Sequence, residues 1–595
     1  MPADRGLAAG GDPRGVVAGN DRDGPVAGGD QPGTPGALDR AAGRTAPGAG
    51  RHGARIAGAA ALIAVLTVAS RVAGFARYYV LGAAVGGTNL GDIYVAASAI
   101  PNAIFEIVAG GALAGLVVPM LAGAIAGRDR ATVSATTSAL LTWALTILIP
   151  LGLLLAVAAG PVMSLVFQDP TPHQLAAGTL MLRVQAVQVP LYGLAIVFGG
   201  VLQAHRRFAW PAVAPLLSSL TAMATYVTFA LVEGRRADLP QVGRGGQLIL
   251  AVGTAAAAAA LTLCVLVPAL RLGLRLRPRY AFDGDARRRV GGLALAGVAT
   301  VVAQQVSLLI AVHLASGGPK GTNLAYAFAQ AVFLLPWAVL AVPIATASYP
   351  TIAAAHATED RDRFTGTLAA ATRGVLLVSC FGAAALVALS GPAAQVLLDG
   401  PPVDWLAAGI IAFAPGLLGY GLFALLSRAL YARGDNRLAA LATAVGWSVA
   451  IASAYALAAE LPRTARVPAL GLANSVGMAV LGGVLLAIVA RRAGRAALTG
   501  VGRAAAVGSA AAAAAGLAGW AVSRWFDAAL GGTPNDVAAV IQGMLCGVVV
   551  VVVFLGVAYP LDRRDVRPMV AAVAGRLRRV TGRRRVDAGD GEALS

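Results

Sequence analysis

Between residues 56 and 560 the chain repeats one pattern fourteen times: an apolar run of about 20 residues or more, then a short connection. The runs span 56–83, 90–122, 133–158, 174–203, 208–232, 247–273, 288–316, 322–354, 365–390, 405–431, 438–458, 468–490, 501–525 and 535–560. Each is long enough to cross the hydrocarbon core of a bilayer as a helix, and the longer ones leave room for tilt or kinks. A water-soluble surface cannot be made from this sequence, since 57% of its 595 residues are hydrophobic and only 13% are charged. The predicted fold class is an all-α polytopic membrane protein of about 14 transmembrane helices.

The net charge of +19 raises the question of nucleic acid. Its distribution answers it. With the N-terminus taken as cytoplasmic, connections on that side carry nineteen arginines, among them Arg128, Arg206, Arg275, Arg277, Arg279 and Arg433. The opposite connections carry seven basic residues, including Arg236 and Lys320. This is the positive-inside asymmetry, and an even helix count then puts both termini in the cytoplasm. Basic residues spread over short loops make no nucleic-acid footprint. Cys264, Cys380 and Cys546 stand alone within apolar runs, which predicts small buried side chains and neither a metal cluster nor a disulfide framework.

A tetrapeptide repeats inside this pattern. Gly87-Thr88-Asn89-Leu90 recurs as Gly321-Thr322-Asn323-Leu324, each after one long apolar run and opening the next. Pro101 and Pro119 follow the first copy, Pro336 and Pro350 the second. Six runs separate equivalent points, so both copies keep one orientation and the repeat axis lies along the membrane normal. The predicted organisation is a disordered cytoplasmic tail (1–55), a first six-helix lobe (56–273), a basic cytoplasmic linker (274–287), a second lobe (288–490), two extra helices (501–560) and a basic cytoplasmic tail (561–595). Gly48 to Gly53 is glycine-rich, but no strand precedes it, so a phosphate loop is not expected. Arginines at 576, 578, 579 and 583–585 give the C-terminal tail two open readings, a contact with anionic lipid or a solvated basic end.

An ionisable side chain deep in a bilayer costs about 2.5–3.5 kcal/mol on insertion scales, so each needs a reason. Arg71, Arg77, Asp92 and Glu106 crowd the first two runs. Asn102 and Glu106 are four apart, on one face, just after Pro101. Two readings are open: mutual pairing that stabilises the bundle, or a cavity for an anionic headgroup whose phosphate oxygens arginine forks would grip. The second copy is less polar: its first helix carries Gln304, Gln305, Ser307 and His313 and the next Gln330, and of these Gln304, Gln305, His313 and Gln330 are the candidate cavity-lining residues. No nucleophile–base set, paired catalytic carboxylates or histidine cluster stands out, so neither an enzyme nor a cofactor is expected.

The stretch Ser70-Arg71-Val72-Ala73-Gly74-Phe75-Ala76-Arg77, with Asp92, Ile100-Pro101-Asn102 and Val118-Pro119, closely resembles the MurJ (MviN) family of the multidrug/oligosaccharidyl-lipid/polysaccharide exporter superfamily. The likeness continues more loosely through Leu335-Pro336 to Ser348-Tyr349-Pro350. It implies a two-lobed flippase that moves lipid II, an undecaprenyl-linked peptidoglycan precursor, to the outer face by alternating access. It also implies functional charges at Arg71, Arg77 and Asp92. Other positions depart: the paired basic residues of the family are Phe105 and Glu106 here, its next acid is Gly110, its Asp-Arg pair is Gln330-Ala331, and a further Asp is Tyr78. The departures resemble a divergent actinobacterial branch or a paralogue with altered cargo, and Glu106, one helical turn before Gly110 where the family has an acid, is then expected to pair with Arg71 or Arg77. Cell-wall synthesis proteins are a further partner expected, beside the anionic membrane lipids that the basic C-terminal tail suggests. The rival readings are export of another polyprenyl-linked glycan or of an amphiphilic drug, and a non-transporting cell-wall scaffold.

Overall fold

The computed structural model describes residues 49–108, 114–281, 284–530 and 535–567, with side chains from residue 65 onward except 114–116 and 284–299. Among the described residues there is no strand. By contact the chain divides into Met1–Ala61 and Leu62–Ser595, and both lobes are built within the second unit.

The first half is built from α1 (Ala49–Ala84), α2 (Asn89–Glu106), α3 (Ala114–Ala126), α4 (Arg130–Val157), α5 (Ala159–Val166), α6 (Pro172–Gln185), α7 (Gln188–Ala204), α8 (Ala209–Val232) and α9 (Arg244–Leu270). The second half holds α10 (Gly284–Ser316), α11 (Thr322–Pro336), a π-turn at Trp337–Ala341, α12 (Val342–Ala357), α13 (Arg361–Leu397), α14 (Pro402–Phe413), α15 (Gly416–Ala432), α16 (Asn436–Glu460) and α17 (Arg466–Arg492). Last come α18 (Val501–Leu530) and α19 (Asp536–Leu561). Ten continuous helical runs are long and apolar enough to cross a membrane, and an eleventh is the pair α14–α15, bent by 48°. That bend falls at Ala414-Pro415, where the proline has no N–H to continue the ladder. The other three predicted runs, 56–83, 90–122 and 288–316, extend into residues whose backbone or side chains lie outside the described set. One boundary moves: α1 begins at Ala49, inside the segment read as a disordered tail, while residues 1–48 and 568–595 are not described.

Helix starts follow local chemistry. Thr88 caps α2 by accepting from Gly91 N–H at 3.1 Å. Asp129 caps α4 through Ala131 and Thr132 N–H, each at 3.0 Å. Thr171 and Gln174 form a reciprocal capping box on α6.

In the first lobe α9 packs on α6, α7 and α8, α4 on α7, and α2 on α6. In the second, α17 packs on α14, α15 and α16, α10 on α16, and α11 on α14. The helices α18 and α19 lie on α13 and on each other, with Cys380, Ala515, Cys546 and Phe554 buried between them. The lobes meet where α2 touches α10 and α11, and where α5 touches α10.

Candidate functional site: a seam and a polar wall

The two copies of the repeated tetrapeptide touch. Gly87 and Gly321 face each other beneath Pro402, and a Cβ on Gly321 would sit 3.0 Å from Gly87 O and 2.8 Å from Pro402 Cγ. Gly321 also has φ +91°, which a side chain rarely adopts. Both glycines are needed here, one for its conformation and both for the approach.

Carboxylates clasp this seam. Asp92, buried in the first turn of α2, reaches across to α11 and accepts Gly321 N–H at 2.6 Å and Leu324 N–H at 3.0 Å. A carboxylate on the free amides of a helix N-terminus meets both hydrogen-bond and dipole demand. Asp238 accepts Asn89 N–H at 2.9 Å and lies 3.4 Å from Lys320 Nζ of the other lobe. Arg236 pairs with Asp399, again between lobes. Ser316 accepts Gln168 N–H at 2.9 Å. His313 Nδ1 donates to Leu165 O at 2.8 Å, which requires a proton on that nitrogen.

Away from the seam, the first lobe presents a polar wall. Arg77 is half-buried over the Tyr78 ring, 5.5 Å from its centroid, and lies close to Tyr94 and Tyr226. Those two hydroxyls are 2.9 Å apart, and Tyr94 also meets Thr254 Oγ1 at 2.8 Å. Deeper along α2, the Tyr192 hydroxyl donates to Gln188 Oε1 at 2.8 Å, with Asn102 Oδ1 as the alternative acceptor at 3.2 Å, and its ring packs at a tilt on Phe105. Arg71 and Glu106 are exposed. Among the described residues Arg77 and Arg71 have no carboxylate partner, and Glu106 has no cationic one.

The expected pairing of Glu106 with Arg71 or Arg77 is therefore not formed. Axial depth explains much of this. At about 1.5 Å per residue, Arg77 lies roughly 10 Å below the seam end of α1, while Glu106 lies roughly 26 Å below the same end of α2. Glu106 instead lies toward Tyr420 of α15. In the second lobe Gln304 donates to the Tyr420 hydroxyl at 3.2 Å. Gln304, Gln305, Gln330 and Asn474 line a small cavity of about 40 Å³. His313 belongs to the seam and not to this cavity. Among the described residues no three His, Cys, Asp or Glu side chains gather to hold a metal ion.

The comparisons with known proteins bear on this arrangement. The family Lipid II flippase MurJ matches residues 81–532. The chain belongs to the MurJ family. The match begins just past Arg77, so the two arginines of the signature lie outside it. Relatives include the lipid II flippase MurJ of Burkholderia cenocepacia, 25% identical over 72% of this chain and 82% of that protein. The probable lipid II flippase MurJ of Haemophilus influenzae is 23% identical over 62% of this chain and 75% of its own length. A solved structure of lipid II flippase MurJ in an inward closed conformation aligns with TM-score 0.66 at 18% identity, covering 84% of this chain and all of that one. An inward-facing multidrug resistance MATE family transporter of the MOP superfamily aligns with TM-score 0.57 at 12% identity, over 72% of this chain and 96% of that one. The last two establish the fold alone. Family and apolar helices together make this a multi-pass membrane protein.

Sequence reasoning missed the tyrosines of the wall and Asp238 of the seam. Apart from Tyr78 on α1, the tyrosines come from α2, α7 and α8, and nothing local in the sequence brings them together. Asp238 did leave a signal. Asp238-Leu239-Pro240 is matched by Glu460-Leu461-Pro462 at the equivalent turn of the second lobe, so the repeat extends further than its tetrapeptide.

Proposed function

We propose that this protein carries lipid II, the lipid-linked peptidoglycan precursor, from the inner to the outer face of the cytoplasmic membrane by alternating access between the two lobes. The observation that carries the proposal is Arg77: a half-buried guanidinium among tyrosine hydroxyls, with no carboxylate partner among the described residues. A cation so placed needs an anion from elsewhere, and its planar fork suits phosphate oxygens. Tyr192 and Asn102 continue the polar wall along α2, and Arg71 is exposed nearer the arginine-rich end. Tyrosine donors here stand in for the basic positions that the family resemblance leads one to expect after Pro101-Asn102.

The arginine bias of the connections supports a cytoplasmic placement of both termini. The seam then lies at the outer surface, and this conformation is closed outward. Asp92 contributes by clasping α11, and Arg77, Arg71, Asn102 and Glu106 by contact with the headgroup. No bond-making step belongs to the proposal; the relatives bear the name of a flippase. A second reading, export of a cationic amphiphile, draws on the exposed and unpaired Glu106.

The test is complementation of a flippase-depleted strain, with lipid II accessibility at the outer face as readout. Arg77→Ala is expected to abolish both, Arg77→Lys to retain part, and Arg71→Ala to reduce both, at normal membrane abundance. Normal growth and normal lipid II exposure with both alanine variants would sink the proposal. Loss with Glu106→Gln alone, while Arg77→Ala stays active, would favour the cationic cargo.

A further inference from the structure

Nothing in the proposed transport cycle uses the segment between α9 and α10. It is held in an unusual way. Arg275 N–H donates to Ser134 Oγ at 3.3 Å, Arg277 N–H to Ser138 Oγ at 3.1 Å and Arg279 N–H to Thr142 Oγ1 at 3.0 Å. These acceptors recur every four residues on α4, so they are spaced about 6 Å apart. Two residues of the segment span each interval, about 3 Å per residue, which is an extended chain. A hydroxyl ladder on one helix face thus holds alternate amides of a strand-like strap.

An extended chain sends alternate side chains to opposite faces. Leu272, Leu274 and Leu276 are half-buried against the core of the bundle, while Arg275, Arg277 and Arg279 are exposed. The strap is therefore a row of three exposed arginines whose Cα atoms follow one another about every 6–7 Å, fixed at their backbones. With Arg130 at the start of α4 they border an open cleft of about 760 Å³. Asp129, the carboxylate next to Arg130, is already committed to the amides of Ala131 and Thr132 and the Thr132 hydroxyl.

The position of this row decides what it meets. The α4 stripe that carries Ser134, Ser138 and Thr142 continues through Thr146 to Ile149 and Leu153, which are 52% and 66% exposed. Large apolar side chains exposed along one stripe of a membrane helix face lipid. The strap covers the same stripe nearer the arginine-rich end. At the junction, Trp143 Nε1 donates to Tyr280 O at 3.0 Å and the two rings meet edge to face. Exposed Trp and Tyr at such a boundary mark the headgroup level. The row thus runs for about 12 Å along the perimeter of α4, from Arg279 beside the Trp143–Tyr280 boundary at headgroup level out to Arg275 nearer the arginine-rich end.

We propose that Arg275, Arg277 and Arg279, with Arg130, form a binding site for the phosphate of an anionic phospholipid headgroup, separate from the wall around Arg77. Each guanidinium presents a fork to phosphate oxygens, and the hydroxyl ladder orders the row in advance. A bound lipid would tie the connection between the lobes to the membrane surface.

The experiment uses the full chain, purified in neutral detergent, with phosphatidylglycerol or phosphatidylcholine added and retained lipid counted by intact-complex mass spectrometry. Wild type is expected to keep phosphatidylglycerol in preference to phosphatidylcholine. The triple variant Arg275→Gln, Arg277→Gln, Arg279→Gln is expected to hold phosphatidylglycerol on the order of 100-fold more weakly, at about 1 kcal/mol for each arginine near a lipid surface. Arg277→Gln alone guards against a folding defect and is expected to lose about fivefold by the same rule. A control triple at Arg491, Arg492 and Arg495, also exposed, should leave retention unchanged. Equal retention by wild type and the strap triple overturns the proposal. So does equal loss in the control triple, which would mean diffuse charge attraction, and so does displacement of the lipid by millimolar inorganic phosphate, which would mean a site for a free ion.

Discussion

The two copies of Gly-Thr-Asn-Leu share a sequence and differ in how their helices begin. In the first, Thr88 is the cap and α2 starts at Asn89. In the second, Gly321 takes the cap position and α11 starts one residue earlier in the motif, at Thr322. The first copy is satisfied within its own lobe, by Thr88 and by Asp238. The second borrows its cap from the other lobe, through Asp92. The consequence reaches the side chains. The Asn89 amide lies 3.4 Å from Asp238, whereas Asn323 is buried with both amide atoms unpartnered among the described residues. One copy is complete by itself; the other is complete only while the lobes are together. A gate can be built from a duplicated element when one copy lacks its own cap.

The largest test removes the borrowed cap. Hydrogen bonds to a charged acceptor contribute about 1.5–3 kcal/mol each. Asp92→Asn keeps one acceptor oxygen and loses the charge, so the closed arrangement should weaken by roughly 2 kcal/mol, about a 30-fold shift in population. Cysteines placed at Gln168 and Ser316, whose backbone and side chain meet across the seam, would report it by cross-linking yield. The native cysteines are buried and should not interfere. Unchanged yield would show that Asp92 does not hold the lobes together.

Next come the glycines, which should not be equivalent. Gly321→Ala forces a side chain into a left-handed conformation at about 1–2 kcal/mol, besides its contacts with Gly87 and Pro402. Gly87 has no positive φ and meets only the contact problem. Seam cross-linking should fall further for Gly321→Ala than for Gly87→Ala. The reverse order would place the constraint in packing and not in the backbone.

Asparagine should give opposite signs at the two copies. A buried, unpaired amide costs about 1–3 kcal/mol. Asn323→Leu removes that cost, so it should raise the melting temperature of the closed form and slow opening. Asn89→Leu removes a contact to Asp238 and should lower it. A fall in melting temperature for both would mean that Asn323 has a partner in the closed state.

The helices were legible because length and apolarity alone define a membrane-crossing run. The boundaries of α4, α8, α9, α16 and α19 fall within about three residues of the predicted runs. The repeat was legible as a motif, yet its meaning was not. Asp92 and Gly321 are 229 residues apart, and nothing in either segment names the other. Arg77 was singled out by its cost in a bilayer, whereas the tyrosines around it carry no such penalty and so no signal. The strap between α9 and α10 read only as basic; its order comes from hydroxyls on α4 that look like ordinary small residues of an apolar helix.

The smallest effect is expected at the turn that extends the repeat. Asp238-Leu239-Pro240 and Glu460-Leu461-Pro462 occupy equivalent turns. Asp238 caps its own short turn through Leu239 N–H at 2.8 Å while holding Asn89 and Lys320. Glu460 ends α16, is exposed, and makes no ion pair among the described residues. Neutralising it should therefore do little: Glu460→Gln is expected to leave seam cross-linking and complementation within about twofold of wild type, in line with other surface substitutions. Asp238→Asn should reduce cross-linking more than Glu460→Gln, because it loses a charged acceptor that serves both lobes. If the two variants behave alike, the turns are equivalent after all, and the asymmetry must reside in Asp92 alone. If Glu460→Gln proves the more damaging, its carboxylate engages the freed α11 amides when the lobes part, and the second copy has its own cap in the other state.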